Sequence, residues 1–316
     1  MVGALPQLAG GLFLSDGGLE TSLVFLDKIE LPHFAAVVLL DDELGRERLM
    51  GYYVPYLELC AQSPGTGFVL ETPTWRANPD WAALLGVDPQ RLRDANVRAA
   101  QLICSLRDRW ARRLDGPIVV SGVMGPRGDG YVASAPGSVE DAASYHSLQA
   151  EALAAGGVDM LAAVTMTTSA EALGVSMAAQ RVGLPAAISF TVETDGRLPS
   201  GESLQEAIER VDAVAPPAYF AINCAHPVHF AHLLHDAAGW CARVRGIRAN
   251  ASTKSHAELD AATELDIGDP HDLAQRYRGL RSALPNLNVL GGCCGTDWRH
   301  LRAVRDAWFE APRPAG

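Results

Sequence analysis

Residues 219–224, Tyr219-Phe220-Ala221-Ile222-Asn223-Cys224, read as a short apolar strand ending on two polar groups, and that form decides the fold. A continuous apolar run of this length suits a parallel strand covered on both faces, because neither side meets water and the usual in-out alternation disappears. Seven further runs have the same character, at 12–16, 67–71, 118–121, 158–164, 186–191, 244–249 and 287–290. Helix-start signals lie between them. Ser138-Val139-Glu140-Asp141 and Thr168-Ser169-Ala170-Glu171 resemble capping boxes, and Asp88-Pro89 and Asp269-Pro270 place an N-cap residue before a proline of the first turn. Strand and helix alternating eight times predict an α/β chain folded as one (β/α)8 TIM barrel over residues 1–310, with a flexible tail at 311–316.

In such a barrel the reactive groups sit on the loops after the strands. The polar residues follow that rule: Asp16-Gly17-Gly18 after the first run, Glu71-Thr72-Pro73-Thr74-Trp75 after the second, Asn223-Cys224 at the sixth and Gly291-Gly292-Cys293-Cys294-Gly295-Thr296 at the eighth. Neighbouring residues of a regular strand point to opposite faces, so Cys293 and Cys294 can share one ion only where the backbone departs from strand geometry. The glycines at 291, 292 and 295 are expected to supply that freedom. The pattern fits either a buried cysteine pair or a thiolate zinc site. Three protein ligands would leave the metal's fourth position open to substrate. The agreement between strand order and thiol position favours zinc held by Cys224, Cys293 and Cys294. Cys60, Cys104 and Cys241 read as small apolar fillers.

The chain has 316 residues, 48% hydrophobic, 20% charged and 7% aromatic, with a formal net charge of -11. That charge, without a basic stripe, argues against a nucleic-acid partner. No apolar run approaches the roughly 18 residues of a membrane span. Six dispersed cysteines and no secretory signature point to a reducing cytoplasm. Assembly of identical chains stays open.

Taken together, the Asp16-Gly17-Gly18 turn, the Asn223-Cys224 strand end and the Gly291-to-Thr296 segment resemble, in order, the homocysteine S-methyltransferase family, over nearly the whole chain. The resemblance implies a zinc-dependent enzyme that passes a methyl group from a small donor, such as S-methylmethionine or betaine, to the thiol of homocysteine, giving methionine. It also implies that Asp16 meets the amino acid's ammonium, that Gly17 and Thr74 meet its carboxylate, and that Asn223 belongs to the substrate site. One departure is visible. Relatives carry a Glu at the end of strand four where this chain has Val164, so either Asp16 acts alone on the ammonium or another acid, Glu71 or Glu193, replaces the charge, unless the acceptor is another thiol or a selenol. A zinc-holding barrel without turnover is the non-enzymatic alternative. Trp75, Trp81, Tyr131 and Phe190 are candidates for an aromatic wall facing a cationic donor. His226, His229 and Lys254 are polar residues near the rim that are weighed against plain loop packing.

Overall fold

Eight parallel strands pair in chain order: Phe13–Leu14 (β1), Gly67–Glu71 (β2), Ile118–Met124 (β3), Met160–Met166 (β4), Ala186–Phe190 (β5), Tyr219–Asn223 (β6), Val244–Ala249 (β7) and Val289–Gly292 (β8). The barrel closes through Phe13 beside Val289 and Leu14 beside Leu290. The computed structural model describes residues 4–133, 137–234 and 239–310; the tail expected at 311–316 lies outside them. All eight strands fall on the eight runs read above, with shifted ends. Thus β3 continues through Gly122, and β8 starts two residues later than expected and ends on Gly291 and Gly292.

Long helices cover the barrel: Glu43–Ala61 (α1), Pro89–Trp110 (α2), Val139–Gly156 (α3), Ser169–Arg181 (α4), Leu204–Val214 (α5), Pro270–Leu280 (α6) and Trp298–Phe309 (α7). The described part of the β6-to-β7 connection carries only short helical turns, such as Pro227–Phe230. All four predicted N-caps are present: Asp88, Ser138, Thr168 and Asp269 each accept from a backbone N–H of the first turn. The reciprocal half of the Thr168 box is missing, because Glu171 is turned instead to His146 Nε2 (2.9 Å) and the Arg127 N–H (2.7 Å). Among the described residues, no helix is long and apolar enough to cross a membrane.

Period two along each strand separates two layers. Leu14, Phe68, Leu70, Val120, Leu161, Ile188, Phe220, Ile222 and Ile247 pack outward against the helices. Phe13, Val69, Val119, Met160, Ala187, Tyr219 and Val289 fill the barrel's floor. Two residues further along the same inward rows stand Ser15, Glu71, Ser121, Ser189 and Gly291, so the barrel changes from apolar at its floor to polar at its mouth.

One helix residue ties the mouth together. The Tyr277 hydroxyl of α6 accepts from the Ala249 N–H (2.7 Å) and donates to the Gly291 carbonyl (2.6 Å), clasping the ends of β7 and β8 from behind. Tyr277→Phe leaves both backbone groups buried without that partner. A stability loss of about 1–3 kcal/mol is expected, read as a lower denaturation midpoint at unchanged slope.

Candidate active site and metal centre

β6 and β8 deliver three sulfurs to one point. The Sγ atoms of Cys224, Cys293 and Cys294 all lie within 4.8 Å of one another. Cys224 and Cys293 are joined as a disulfide, their Cα atoms 5.4 Å apart. That separation lies inside the usual span of about 4.4–6.8 Å for bonded cysteines. A tetrahedral zinc with bonds of about 2.3 Å sets its sulfur ligands roughly 3.8 Å apart. The three side chains, once reduced, fit such an ion in number, chemistry and spacing.

The local backbone is where the expectation needed correction. Gly291 and Gly292 remain in β8; they are small because Ser15 Oγ and Thr296 Oγ1 occupy the space where their Cβ atoms would stand. The chain turns at Gly295, φ 79°. On the opposite side Cys224 itself is left-handed, φ 52°, and so is Thr165 in β4, φ 62°. Each such residue costs of order 1–2 kcal/mol, and hydrogen bonds hold both in place. Asn223 Oδ1 accepts the Thr165 N–H (2.8 Å) and the Ser189 hydroxyl (2.6 Å), while its Nδ2 donates to Thr165 Oγ1 (2.8 Å). The Cys224 carbonyl accepts from Asn250 Nδ2 (3.0 Å) and His256 Nε2 (2.6 Å). Asn223 thus lines the cavity with most of its amide already engaged.

Tyr131 roofs the sulfurs. Its hydroxyl is 3.5 Å from Cys294 Sγ and 3.8 Å from Cys224 Sγ. Its ring stacks on His256 at 4.2 Å between centroids, and His256 Nδ1 faces Glu193 at 3.0 Å. Burial pushes the Cys294 thiol up, the Tyr131 hydroxyl opposes it, and the charge of Glu20 adds to the rise.

Below the sulfurs lies an arginine that sequence reading passed over. Arg248 of β7 makes an ion pair with Asp16 (3.0 Å) and another with Glu71. It also reaches Ser15 Oγ (3.2 Å) and the carbonyls of Gly292 (3.2 Å) and Gly17 (3.3 Å). Tyr52 donates to the other oxygen of Asp16 at 3.1 Å. Burial alone would lower the Arg248 pKa, but Glu71 and Asp16 more than offset it and hold the guanidinium charged. Two acids share that one cation, so burial wins over Arg248 at both: Asp16 is raised, and Glu71 is pushed up to about 7.

A cavity of about 310 Å³ opens above this latch, and Asp16, Gly17, Val164, Asn223 and the three cysteines all face it. Thr74 does not. Its hydroxyl donates to the Val123 carbonyl (2.6 Å) and meets Thr72 Oγ1 (2.6 Å), leaving Thr72 as the threonine on the wall. The Tyr56 hydroxyl packs against Gly17. Of the four candidate aromatics, Trp75 and Tyr131 line the cavity, joined by Phe25 and Phe34. Phe190 is buried against Phe220, and Trp81 lies under the Arg76 guanidinium. His226 caps the turn at Pro227–Phe230, His229 bonds the Thr253 carbonyl (2.9 Å), and Lys254 pairs with Asp266 (3.2 Å), so all three serve loop packing.

Glu20 is the other residue missed. It stands one turn beyond Asp16 on the cavity wall. Burial pushes its carboxyl up to about 7, and the charge of Asp16 adds to the rise against its own backbone N–H and Arg76.

The profile of the homocysteine S-methyltransferase family matches residues 13–308. Homocysteine S-methyltransferase 1 of Arabidopsis thaliana is 23% identical over 95% of this chain and 94% of that protein. Homocysteine S-methyltransferase 4 of Zea mays is 26% identical over 67% of this chain and 65% of its own length. Among solved structures, the metallated form of the homocysteine methyltransferase MmuM from Escherichia coli superposes with a TM-score of 0.73 at 21% identity, covering 96% of this chain and 99% of that one.

Proposed function

Because the chain belongs to the homocysteine S-methyltransferase family and is a methyltransferase, we propose that its acceptor is homocysteine, that Cys224, Cys293 and Cys294 hold zinc, and that the donor is a small sulfonium or quaternary ammonium compound. The observation that carries this reading is the meeting of three sulfurs at the barrel mouth, on a cavity shared with the Asp16 turn. Bound there, zinc would stabilise a thiolate over a thiol near neutral pH.

The remaining groups are suited to positioning. In the displacement a carbon–sulfur bond forms to the acceptor as the donor's bond to its methyl carbon breaks, the thiol proton is lost, and the donor leaves with its bonding pair. The positive charge on the donor's sulfur or nitrogen is neutralised and no oxyanion develops, so alignment and exclusion of water matter most. Trp75, Tyr131, Phe25 and Phe34 line the cavity that a cationic donor would enter, and aromatic rings attract such a cation. Tyr131, fixed by its stack on His256, restricts access to the sulfurs from above. Asp16 serves chiefly to fix the turn at Gly17, since Arg248 and Tyr52 already occupy its carboxylate.

Val164 favours a second reading, in which the acceptor is a thiol or selenol other than homocysteine. Reduced, zinc-supplemented protein incubated with homocysteine and a panel of S-methylmethionine, betaine and related donors separates the two. Methionine is expected with at least one of them. Methylation of other thiols, with homocysteine inert, would transfer the case to the second reading, and a protein inert with every pair would end both.

A further inference from the structure

The acids around the cavity differ in what they already hold. Asp16 carries Arg248 and Tyr52, Glu71 carries Arg248, and Glu193 faces His256. Neither of the two acids expected to replace the charge lost at Val164 is therefore uncommitted. Glu20 is different: it lines the cavity, and among the described residues its carboxylate makes no ion pair or hydrogen bond to another side chain. It stands four residues after Asp16, on the wall of the same cavity that the Asp16 turn and the three cysteines line.

A cation stands on the same wall. The Arg76 guanidinium lies over Trp75 (4.7 Å) and Trp81 (3.9 Å), is anchored through one N–H to the His33 carbonyl, and keeps a buried Nε without a partner. Glu20 and Arg76 influence each other's charge without closing into an ion pair. An acid and a guanidinium held apart on one wall match the two charged ends of an α-amino acid.

We propose that Glu20 and Arg76 clamp the acceptor's amino-acid end, Glu20 taking the α-ammonium and Arg76 the α-carboxylate, while the acceptor sulfur reaches the three cysteines. The clamp rests on the thiol-acceptor reading given above. It relocates the ammonium partner from the end of β4 to the turn after β1, and so explains how Val164 can be tolerated.

Calorimetric binding of three thiols to reduced, zinc-loaded protein without donor tests it: homocysteine, 4-mercaptobutyrate, which lacks the ammonium, and 3-mercaptopropylamine, which lacks the carboxylate. Wild type is expected to prefer homocysteine over either truncated thiol by roughly 10- to 100-fold, the worth of one charge-assisted bond. Glu20→Gln should erase the preference over 4-mercaptobutyrate while binding that thiol as wild type does, which also shows that the variant is folded. Arg76→Gln should erase the preference over 3-mercaptopropylamine. Equal wild-type affinity for homocysteine and 4-mercaptobutyrate, or a preference that survives Glu20→Gln, overturns the clamp and leaves the acceptor reading intact. Failure of every thiol to bind wild type overturns both.

Discussion

Cys294→Ala is expected to lower methyl transfer by roughly 10³-fold or more and to remove the bound metal, while thermal unfolding of the barrel stays cooperative. Cys224→Ala and Cys293→Ala should do the same. The three sulfurs are one device, with all of them within 4.8 Å of one another, so deleting any one leaves two ligands where three are needed to hold an ion and keep a position open. Thiol activation of this kind contributes several kcal/mol, and a loss of about 4 kcal/mol is the thousandfold just given. Cys294 discriminates best, because Cys224 and Cys293 can also bond to each other. If Cys294 were a buried apolar filler like Cys60, its alanine variant would keep both metal and turnover. Metal content by elemental analysis after reduction, set beside product formation, decides the matter; about one zinc per wild-type chain is expected.

The sequence shows the barrel because its signals are local. An apolar run such as Tyr219 to Ile222 looks the same whatever it pairs with, and Asp88 before Pro89 caps a helix by its own bonds. The cysteines were legible for a related reason: strand order alone puts Cys224 and Cys293 on one rim. What escaped needed distant parts of the chain to meet. Arg248 looks like an ordinary charge in its local sequence, and only closure of the barrel, which sets β7, β8, β1 and β2 in succession, brings it between Asp16 and Glu71. Period two carried a usable hint, since Arg248 shares a face with the inward-lying Gly246. Thr74 was misplaced for the converse reason: its neighbour Thr72 has the same chemistry, and only the observed turn shows which of them faces the cavity. The left-handed backbone at Thr165 and Cys224 left no trace at all, because neither residue type favours it.

Arg248→Met is expected to destabilise the fold by about 3–5 kcal/mol, the cost of stranding buried charge, and to lose more at pH 8 than at pH 5. The pH dependence follows from the two acids. Burial already raises Asp16 and pushes Glu71 from 4.5 up to about 7 in the presence of the guanidinium. A folded acid that keeps its proton above its unfolded pKa adds stability at low pH, and that contribution disappears as pH rises through the folded value. In wild type this weakens the fold across pH 4.5 to 7. Without Arg248 the folded values rise further, so the loss extends upward and the variant's deficit widens toward pH 8. Lysine should rescue little, since a single ammonium cannot reproduce the contacts to Asp16, Glu71, Ser15, Gly17 and Gly292 that the guanidinium makes at once. The last of these contacts gives the variant its functional signature. Arg248 fixes the Gly292 carbonyl immediately before Cys293 and the Gly17 carbonyl in the turn that lines the cavity, so metal affinity should weaken along with stability. A variant that unfolded earlier yet bound metal as tightly as wild type would show the latch to be a support for the barrel alone, with the sulfurs held by the Gly295 turn and the β7–β8 ladder.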